Sequence, residues 1–595
     1  MSDLQRAAGK LSTATAQTRG LVLLLALFAV LKVVQTPAED YYGPDGGTYF
    51  QVARHVSEGD GLLTSVSLYH QGLKHLPSPT TIYPLWPLVL GIAGQWLGLE
   101  RAARVVPELL YLIDLALLYV LARRLAGAWG RPDGLLLARP PIDIGHVAVL
   151  LFGFNPILVR YSSLPYTEPL ALGAAFAALL LLGRCARTGS AVDAVLAGAC
   201  AGAAYLTRTA MIPVPIAVVA TLFVCRRGGV RRWRAAAWAA GGVIASVAPW
   251  FAYLASFVTE IRARMLVDVF TVHRETPELA PLEWIVPVRS FADLWRFVAD
   301  GLVAAFSYHG PSYAQSFGVL AYIVPVWIVF LLGSRTVRDA LRGSGDRELI
   351  VGTAMAGVGL AIMAHAAHSE SDFARRWAFN HRYGLPYVLL IVSALASLLP
   401  LVGVGTPGPG RGCRSPVAWL RWTVLAMIVL SIGASVQASH REVLYPRGRS
   451  PSAPERELAA WLAARNDEPV VIASRAPKLA VISRAGFQWI DCRDDPEQAR
   501  LLFEHTGADY LVVRRSDRRC NFMRGLESEL ERVARFSSGP GPLELYRWRG
   551  RGGALAPSAG RNETPRSAID GDIERPPAYA SMLGPSYVDF HTAAL

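Results

Sequence analysis

The chain has 595 residues, 52% of them hydrophobic and only 18% charged, a composition that excludes an ordinary water-soluble protein and points to several membrane spans. A net charge of +13 would suit a nucleic-acid binder, yet the arginines stand in short loops between apolar runs, the placement that a bilayer selects. No nucleic-acid partner is therefore expected, and none of the six cysteines falls in a Cys/His spacing that holds a metal.

Residues 1–19 read as a cytoplasmic amino terminus, followed by the first apolar run, "LVLLLALFAVLKVV". No small-residue cleavage pattern follows it, so it reads as a retained span rather than a removed signal peptide. Counting runs of spanning length gives about eleven helices. They fall at 20–35, 104–124, 144–161, 166–184, 191–208, 211–225, 235–257, 318–334, 349–367, 383–402 and 418–437. Alternate loops then collect Arg123, Arg124, Arg131 and Arg139; Arg184 and Arg187; Arg226, Arg227, Arg231, Arg232 and Arg234; Arg335, Arg338, Arg342 and Arg347; and Arg411, Arg414 and Arg421. Excess Arg on one side is the positive-inside signature, and it places loops 36–103 and 258–317 outside together with everything after residue 440.

The fold class expected is therefore mainly α: a polytopic module over 20–437, then a small extracytoplasmic α/β domain over 440–548. In that domain "PERELAAWLAARN" and "DPEQARLLFEHTG" carry helix patterns, while "PVVIAS", "ADYLVV" and "GPLELYRW" read as strands. It has no glycine-rich phosphate loop. The tail, 549–595, has the composition of a disordered segment. Lysine occurs only at Lys10, Lys32, Lys74 and Lys478 among abundant arginine, a bias of GC-rich bacterial genomes, so outside is read as periplasm or cell surface and the membrane as the bacterial inner membrane. That compartment permits a disulfide between Cys492 and Cys520, the two outer cysteines. Within loop 36–103, "TIYPLWPLVLGIAGQWLG" is apolar but interrupted by Pro84, Pro87, Gly91 and Gly94, and reads as a helix lying at the membrane surface; a full span there would invert every later arginine loop. Loop 258–317 carries Asp268, His273, Trp284, Trp295, Tyr308 and His309, and its length suggests either function or disorder.

Three outer stretches hold residues suited to chemistry. In "YYGPDGGTYFQVARH", Asp45 stands at or near the start of a short helix whose apolar positions are Tyr49, Val52, Ala53 and Val56. It suits an N-cap, whose carboxylate accepts a backbone N–H, and equally a general base at the membrane boundary, where Glu39 and Asp40 compete for the role. In "SSLPYTEPL", Glu168 precedes Pro169 as the chain re-enters the membrane. The macrodipole favours an acidic residue there, and an ionisable group at a membrane edge is also a functional candidate. In "ARRWAFNHRYGLPYVLL", Arg375, Arg376, His381, Arg382 and Tyr383 lie outside, against the charge bias. Snorkelling anchors explain them, and so does an anion site built from arginine forks. Arg54, His70, Lys74 and Arg208 fall on the same side.

The order of these parts, "PDGGTYFQVARH", "YPLWPLVLG", "PYTEPL", "HRYGLPYVLL" and a small outer α/β domain, resembles the GT-C membrane glycosyltransferases. Within them it resembles the bacterial branch of lipid A aminoarabinose transferases and protein O-mannosyltransferases. The resemblance implies an inverting enzyme that moves a sugar from a polyprenyl-phosphate carrier to an acceptor hydroxyl on the outer side, the acceptor being a glycan, lipid or protein. It implies Asp45 as the base, Glu168 as a supporting carboxylate, and Arg382, Tyr383 and Arg376 as holders of the donor phosphate. Arg54, His70, Lys74 and Arg208 then line the donor or acceptor pocket. Gly46 stands where relatives commonly carry a second acidic residue, and a monophosphate is already a serviceable leaving group, so no metal or other cofactor is expected. Two other classes fit a chain of many spans: a polysaccharide ligase or polymerase, and a lipid-linked sugar flippase or transporter. Against the transporter stands the lack of an internal repeat. A ligase puts its key arginines and histidine in one large late outer loop and lacks a first-loop aspartate.

Overall fold

The computed structural model describes residues 3–35, 43–67, 76–80, 82–128, 135–137, 142–225, 229–257, 347–366, 387–401 and most of 452–549, with isolated positions at 327 and between 426 and 436. It is mostly helical. Among the described residues four segments are long and apolar enough to cross a membrane: Thr15–Val33 in α1 (Asp3–Gln35), α4 (Leu99–Ala128), α7 (Glu168–Thr188), and Trp233–Ala255 in α10 (Gly229–Phe257). Between them run α2 (Gly43–Glu58), α3 (Leu85–Leu97), α5 (Ile144–Gly153), α6 (Pro156–Tyr161), α8 (Ala191–Thr207) and α9 (Pro213–Cys225), and later α11 (Arg347–Ala366) and α12 (Tyr387–Leu401). The expected spans at 318–334 and 418–437, like the tail, lie outside or largely outside the described residues.

Sequence periodicity explains which faces are buried. Along α4, Tyr111, Leu115, Leu118 and Ala122 face the core while Leu109, Ile113 and Val120 point outward, an apolar exterior that suits lipid rather than water. α8 and α10 cross closely. A Cβ on Gly198 would come within 1.9 Å of the Ala239 carbonyl oxygen, and one on Gly242 within 2.1 Å of the Val195 carbonyl oxygen. Small residues let the two backbones approach, the usual device where lipid removes the hydrophobic drive to pack.

The expected span at 144–161 is two helices. α5 ends at Gly153 and α6 begins at Pro156, because proline lacks an N–H and holds the preceding residue out of the helical region. Asn155 caps the second piece, its Oδ1 accepting from Leu158 N at 3.2 Å.

Lys32 and Asp114 are ionisable groups buried within the helix bundle. Lys32 of α1 is 2% exposed, donates to Val159 O (2.5 Å) and Ser163 Oγ (2.8 Å), and stands over the Tyr111 ring at 4.8 Å. Asp114 of α4 lines a small cavity with Tyr111, Phe152, Phe176 and Val388, where its carboxyl oxygens have no hydrogen-bond partner among the described residues.

After residue 452 the period changes. α13 (Ala453–Ala463) starts at a capping box in which Ser452 N donates to Glu455 Oε2 at 2.7 Å. Around it lie the strands β6 (Val471–Ser474), β7 (Gly486–Trp489), β8 (Tyr510–Arg514), β9 (Leu530–Phe536) and β10 (Leu543–Trp548), with the short helices α14 (Lys478–Ile482) and α15 (Asn521–Leu526). Among the described residues five short strands precede them: β1 (Leu63–Thr64), β2 (Val66–Ser67), β3 (Ser78–Pro79), β4 (Leu135–Leu137) and β5 (Ile142–Asp143). The six-stranded sheet has the order β2-β7-β6-β8-β10-β9, parallel from β2 to β8 and antiparallel from β8 to β9. β6 and the first four residues of β8 are buried, as their continuous apolar runs require of central parallel strands. The edge strand β2 comes from the segment between α2 and α3, so the sheet is not built from residues after 440 alone.

Candidate active site

The segment 43–98 begins with α2. Asp45 is its third residue, so the backbone places it in the first helical turn rather than before the helix, a position where the macrodipole favours negative charge. Val52, Ala53 and Val56 are buried on the face that the periodicity assigns, and Tyr49 is half-buried. α3 crosses that face closely enough that a Cβ on Gly91 would lie 2.6 Å from Val56 Cβ and 2.7 Å from the Ala53 carbonyl oxygen. Beyond α2, β1 pairs antiparallel with β3, Leu63 opposite Pro79 and Thr64 opposite Ser78.

This segment is bonded to one end of the bundle. The indole N–H of Trp86 donates to Pro165 O at 2.8 Å, directly before the start of α7. Tyr83 OH meets Tyr205 OH at 3.4 Å near the end of α8, with the rings edge to face at 5.4 Å. From α10, Tyr253 OH donates to Leu62 O at 2.7 Å, while its ring stacks on Trp250 at 5.1 Å. One end of α7, α8 and α10 is thereby roofed by the segment that carries Asp45.

At that end lies a buried ion pair. Glu168 opens α7 and its side chain is 2% exposed; Arg208 follows α8 in extended backbone, 13% exposed, and its Nη1 donates to Glu168 Oε1. Thr167 Oγ1 also stands 3.4 Å from Glu168 Oε2. The sequence places both charged residues on one side but does not pair them, because forty residues and two helices separate them. The pair is largely removed from bulk solvent, so its charges are screened less than in water.

Arg54 points elsewhere. Its Nη2 donates to Val481 O and its Nη1 to Gln51 Oε1, both at 3.2 Å, with the guanidinium over the Phe50 ring at 5.3 Å. It therefore ties α2 to α14 beside the sheet, where Gly47 also approaches Val481. The side chain of Asp45, the whole of His70, Lys74, Arg376, Arg382 and Tyr383, and Cys492 lie outside the described residues. Cys520 is fully buried and disulfide-bonded.

Sequence reading also passes over Tyr83, Trp86, Tyr205 and Tyr253, which tie the roof to the bundle. "TIYPLWPL" carries a signal for two of them, since aromatic residues with polar tips gather where one end is apolar and the other wet. Among the described residues one group has the chemistry to hold a cation, His55, Glu58 and Asp60 at the far end of α2.

At the opposite end of the bundle is another buried carboxylate, Asp143, fully excluded from solvent at the start of α5. It accepts from His146 N (3.0 Å) and Tyr119 OH (3.0 Å), contacts His146 Nδ1 (2.8 Å), and pairs with Arg123 Nε at 3.2 Å. Burial pushes its carboxyl upward, but the hydrogen bonds and charges of His146 and Arg123 outweigh this and hold it below the usual carboxylate range.

No family model matches the sequence, and none of the curated proteins does. Among solved structures the chain is similar to ArnT from Cupriavidus metallidurans bound to undecaprenyl phosphate, at 14% identity and a TM-score of 0.48 over 88% of this chain and 97% of that one. It is similar to the archaeal oligosaccharyltransferase AglB from Archaeoglobus fulgidus in complex with an inhibitory peptide and a dolichol-phosphate, at 13% identity and a TM-score of 0.46 over 83% and 69% of the two chains. A third is the arabinofuranosyltransferase AftD from Mycobacteria, at 15% identity and a TM-score of 0.46, where 89% of this chain spans 40% of that one. These three are GT-C glycosyltransferases, the group whose order of parts this sequence resembles.

Proposed function

We propose that the protein is an inverting membrane glycosyltransferase that moves a sugar from a polyprenyl-phosphate carrier to an acceptor hydroxyl. The observation that carries the reading is the buried Glu168–Arg208 pair at the end of the bundle roofed by the Asp45 segment. A transfer of this kind needs a base for the acceptor hydroxyl, a cationic holder for the departing phosphate, and exclusion of water that would otherwise take the sugar. In this reading Asp45 takes the proton from the acceptor hydroxyl as its oxygen attacks the anomeric carbon. The bond from that carbon to the phosphate oxygen breaks, and the phosphate leaves with the electron pair. Arg382, Tyr383 and Arg376 hold that phosphate as its charge grows, while His70 and Lys74 line the pocket mouth.

Glu168 and Arg208 act as a fixed dipole beside the reacting groups, with Glu168 the supporting carboxylate. The site and the sheet face the periplasm, and the membrane is the bacterial inner membrane. Residues 440–548 act there as an α/β domain completed by β2, with Cys492 the partner of Cys520. The donor monophosphate supplies its own leaving group, so the reading requires no metal in the chemistry.

Purified protein supplied with a labelled polyprenyl-phosphate sugar is expected to give acceptor-linked label. Label from a diphosphate-linked oligosaccharide alone would sink the proposal in favour of a polysaccharide ligase.

A further inference from the structure

The carboxyl-terminal end of α2 gathers three metal-ligating side chains that the transfer reaction does not use. His55, Glu58 and Asp60 each offer an atom, all within 4.8 Å of one another. Asp60 is folded back onto the helix end by a turn in which Gly59 (φ 91°) and Gly61 (φ 88°) adopt the left-handed backbone that glycine allows, with Asp60 N donating to His55 O at 2.9 Å. Nothing lies within 4 Å of where a Cβ would stand on either glycine, so water has access to the cluster.

The histidine ring is oriented from behind. His55 Nε2 is 2.6 Å from Ser65 Oγ, and His55 Nδ1 is 3.0 Å from Asp60 Oδ2. With the proton on Nε2 and given to Ser65, the Nδ1 lone pair faces a carboxylate lone pair at that distance, and Glu58 brings a second negative charge to the same place. Gathered so closely, these groups repel. A proton on Nδ1 or a cation shared among the three groups relieves that repulsion, and the open position beside Glu58 and Asp60 suits the cation. Two ligand atoms on one tetrahedral ion, each bonded at about 2.0 to 2.1 Å, stand about 3.3 Å apart, close to the separation of Nδ1 and Oδ2. A histidine whose other ring nitrogen is fixed by a hydrogen bond is the usual form of a metal-ligating imidazole.

We propose that His55, Glu58 and Asp60 form a divalent cation site of the zinc class, with His55 Nδ1 and one oxygen from each carboxylate as ligands and water completing the shell. The imidazole favours zinc over the harder magnesium and calcium, which take oxygen ligands. A cation there also opposes the negative end of the α2 macrodipole. The ion's effect passes through Ser65, whose carbonyl oxygen accepts from Phe487 N at 2.7 Å. It clips α2 to the junction of β2 and β7, so the site joins the Asp45 helix to the sheet. It stands apart from the transfer chemistry.

The test uses the full chain in detergent, carrying no histidine tag, stripped with a chelator and then dialysed against zinc chloride. About one zinc per chain is expected in the unaltered protein and none in the double variant Glu58→Gln/Asp60→Asn, whose folding circular dichroism verifies. Zinc is also expected to slow proteolysis at the 59–61 turn in the unaltered protein only, and magnesium to leave the rate unchanged. Equal zinc in both proteins would place the metal elsewhere and overturn the proposal. No zinc in the unaltered protein would overturn it as well, leaving the cluster a hydrogen-bonded helix end. No sugar donor is present, so the result is independent of whether the chain transfers sugar.

Discussion

Each end of the helix bundle buries a carboxylate against an arginine, but the two are assembled differently. Asp143 takes its partners from nearby: His146 three residues on, Arg123 and Tyr119 in the preceding helix. That is an elaborated helix cap, which fixes where α5 begins. Glu168 instead is met by Arg208 from the far end of another helix, under a roof to which Leu62, Tyr83 and Trp86 contribute. A cap of local partners serves its own helix, whereas a charge pair drawn from distant elements beneath loops holds a site in place. That contrast is why the proposed transfer chemistry is assigned to the Glu168 end, and substitutions at the two ends test the assignment.

The largest test of the contrast is Asp45→Asn. Removing a general base lowers turnover by about 10²- to 10⁴-fold, and the variant is expected to fold normally in a thermal melt. Near-unaltered transfer would return Asp45 to a helix-start role. Next comes Arg208→Ala, which leaves Glu168 buried without its arginine and is expected to lose about 3 to 5 kcal/mol of stability. The double variant Glu168→Met/Arg208→Met is expected to regain most of that stability in denaturant titration but not transfer. Recovery of both would reduce the pair to scaffolding.

At the opposite end, Asp143→Asn is expected to cost about 1 to 3 kcal/mol by weakening a buried network, with kcat and KM unchanged. Its pH signature has a definite sign. The folded carboxyl lies below its ordinary value, so its contribution is full above the unfolded value of about 3.9 and is lost as pH falls through the lower folded value. Asp143→Asn should therefore flatten this acid limb of the stability profile, and an unchanged limb would refute the assignment. The smallest effect is expected at Arg54→Ala, where the lost bond to Val481 O is worth about 1 kcal/mol and shows as faster proteolysis around 478–490.

Helices with strong periodicity or length were legible in the sequence, and α7, α8 and α9 begin and end within a few residues of the apolar runs. The break at Asn155–Pro156 was written in the dipeptide itself, yet a span-length average of hydropathy runs straight across it. Glu168 and Arg208 were each visible as outer-side charges; their pairing was not, since it depends on how α7 and α8 pack. β2 was beyond reading, because two residues carry no period and the strand's partner comes near the end of the chain. The contact between His55 and Asp60 has no signal in the sequence, because it forms only once the Gly59–Gly61 turn brings Asp60 back.

The parallel pairing of β2 with β7 has a consequence for the order of assembly. During synthesis the 62–67 segment is made early and must wait for nearly the whole helical region before its partner strand exists. Until then β2 has no sheet to join, and afterwards β7 has no neighbour on that side unless β2 arrives. A fragment beginning after residue 440 would present β7 as a bare edge, open to pairing with another copy. Completion of the sheet thus reports that the two ends of the chain have found each other.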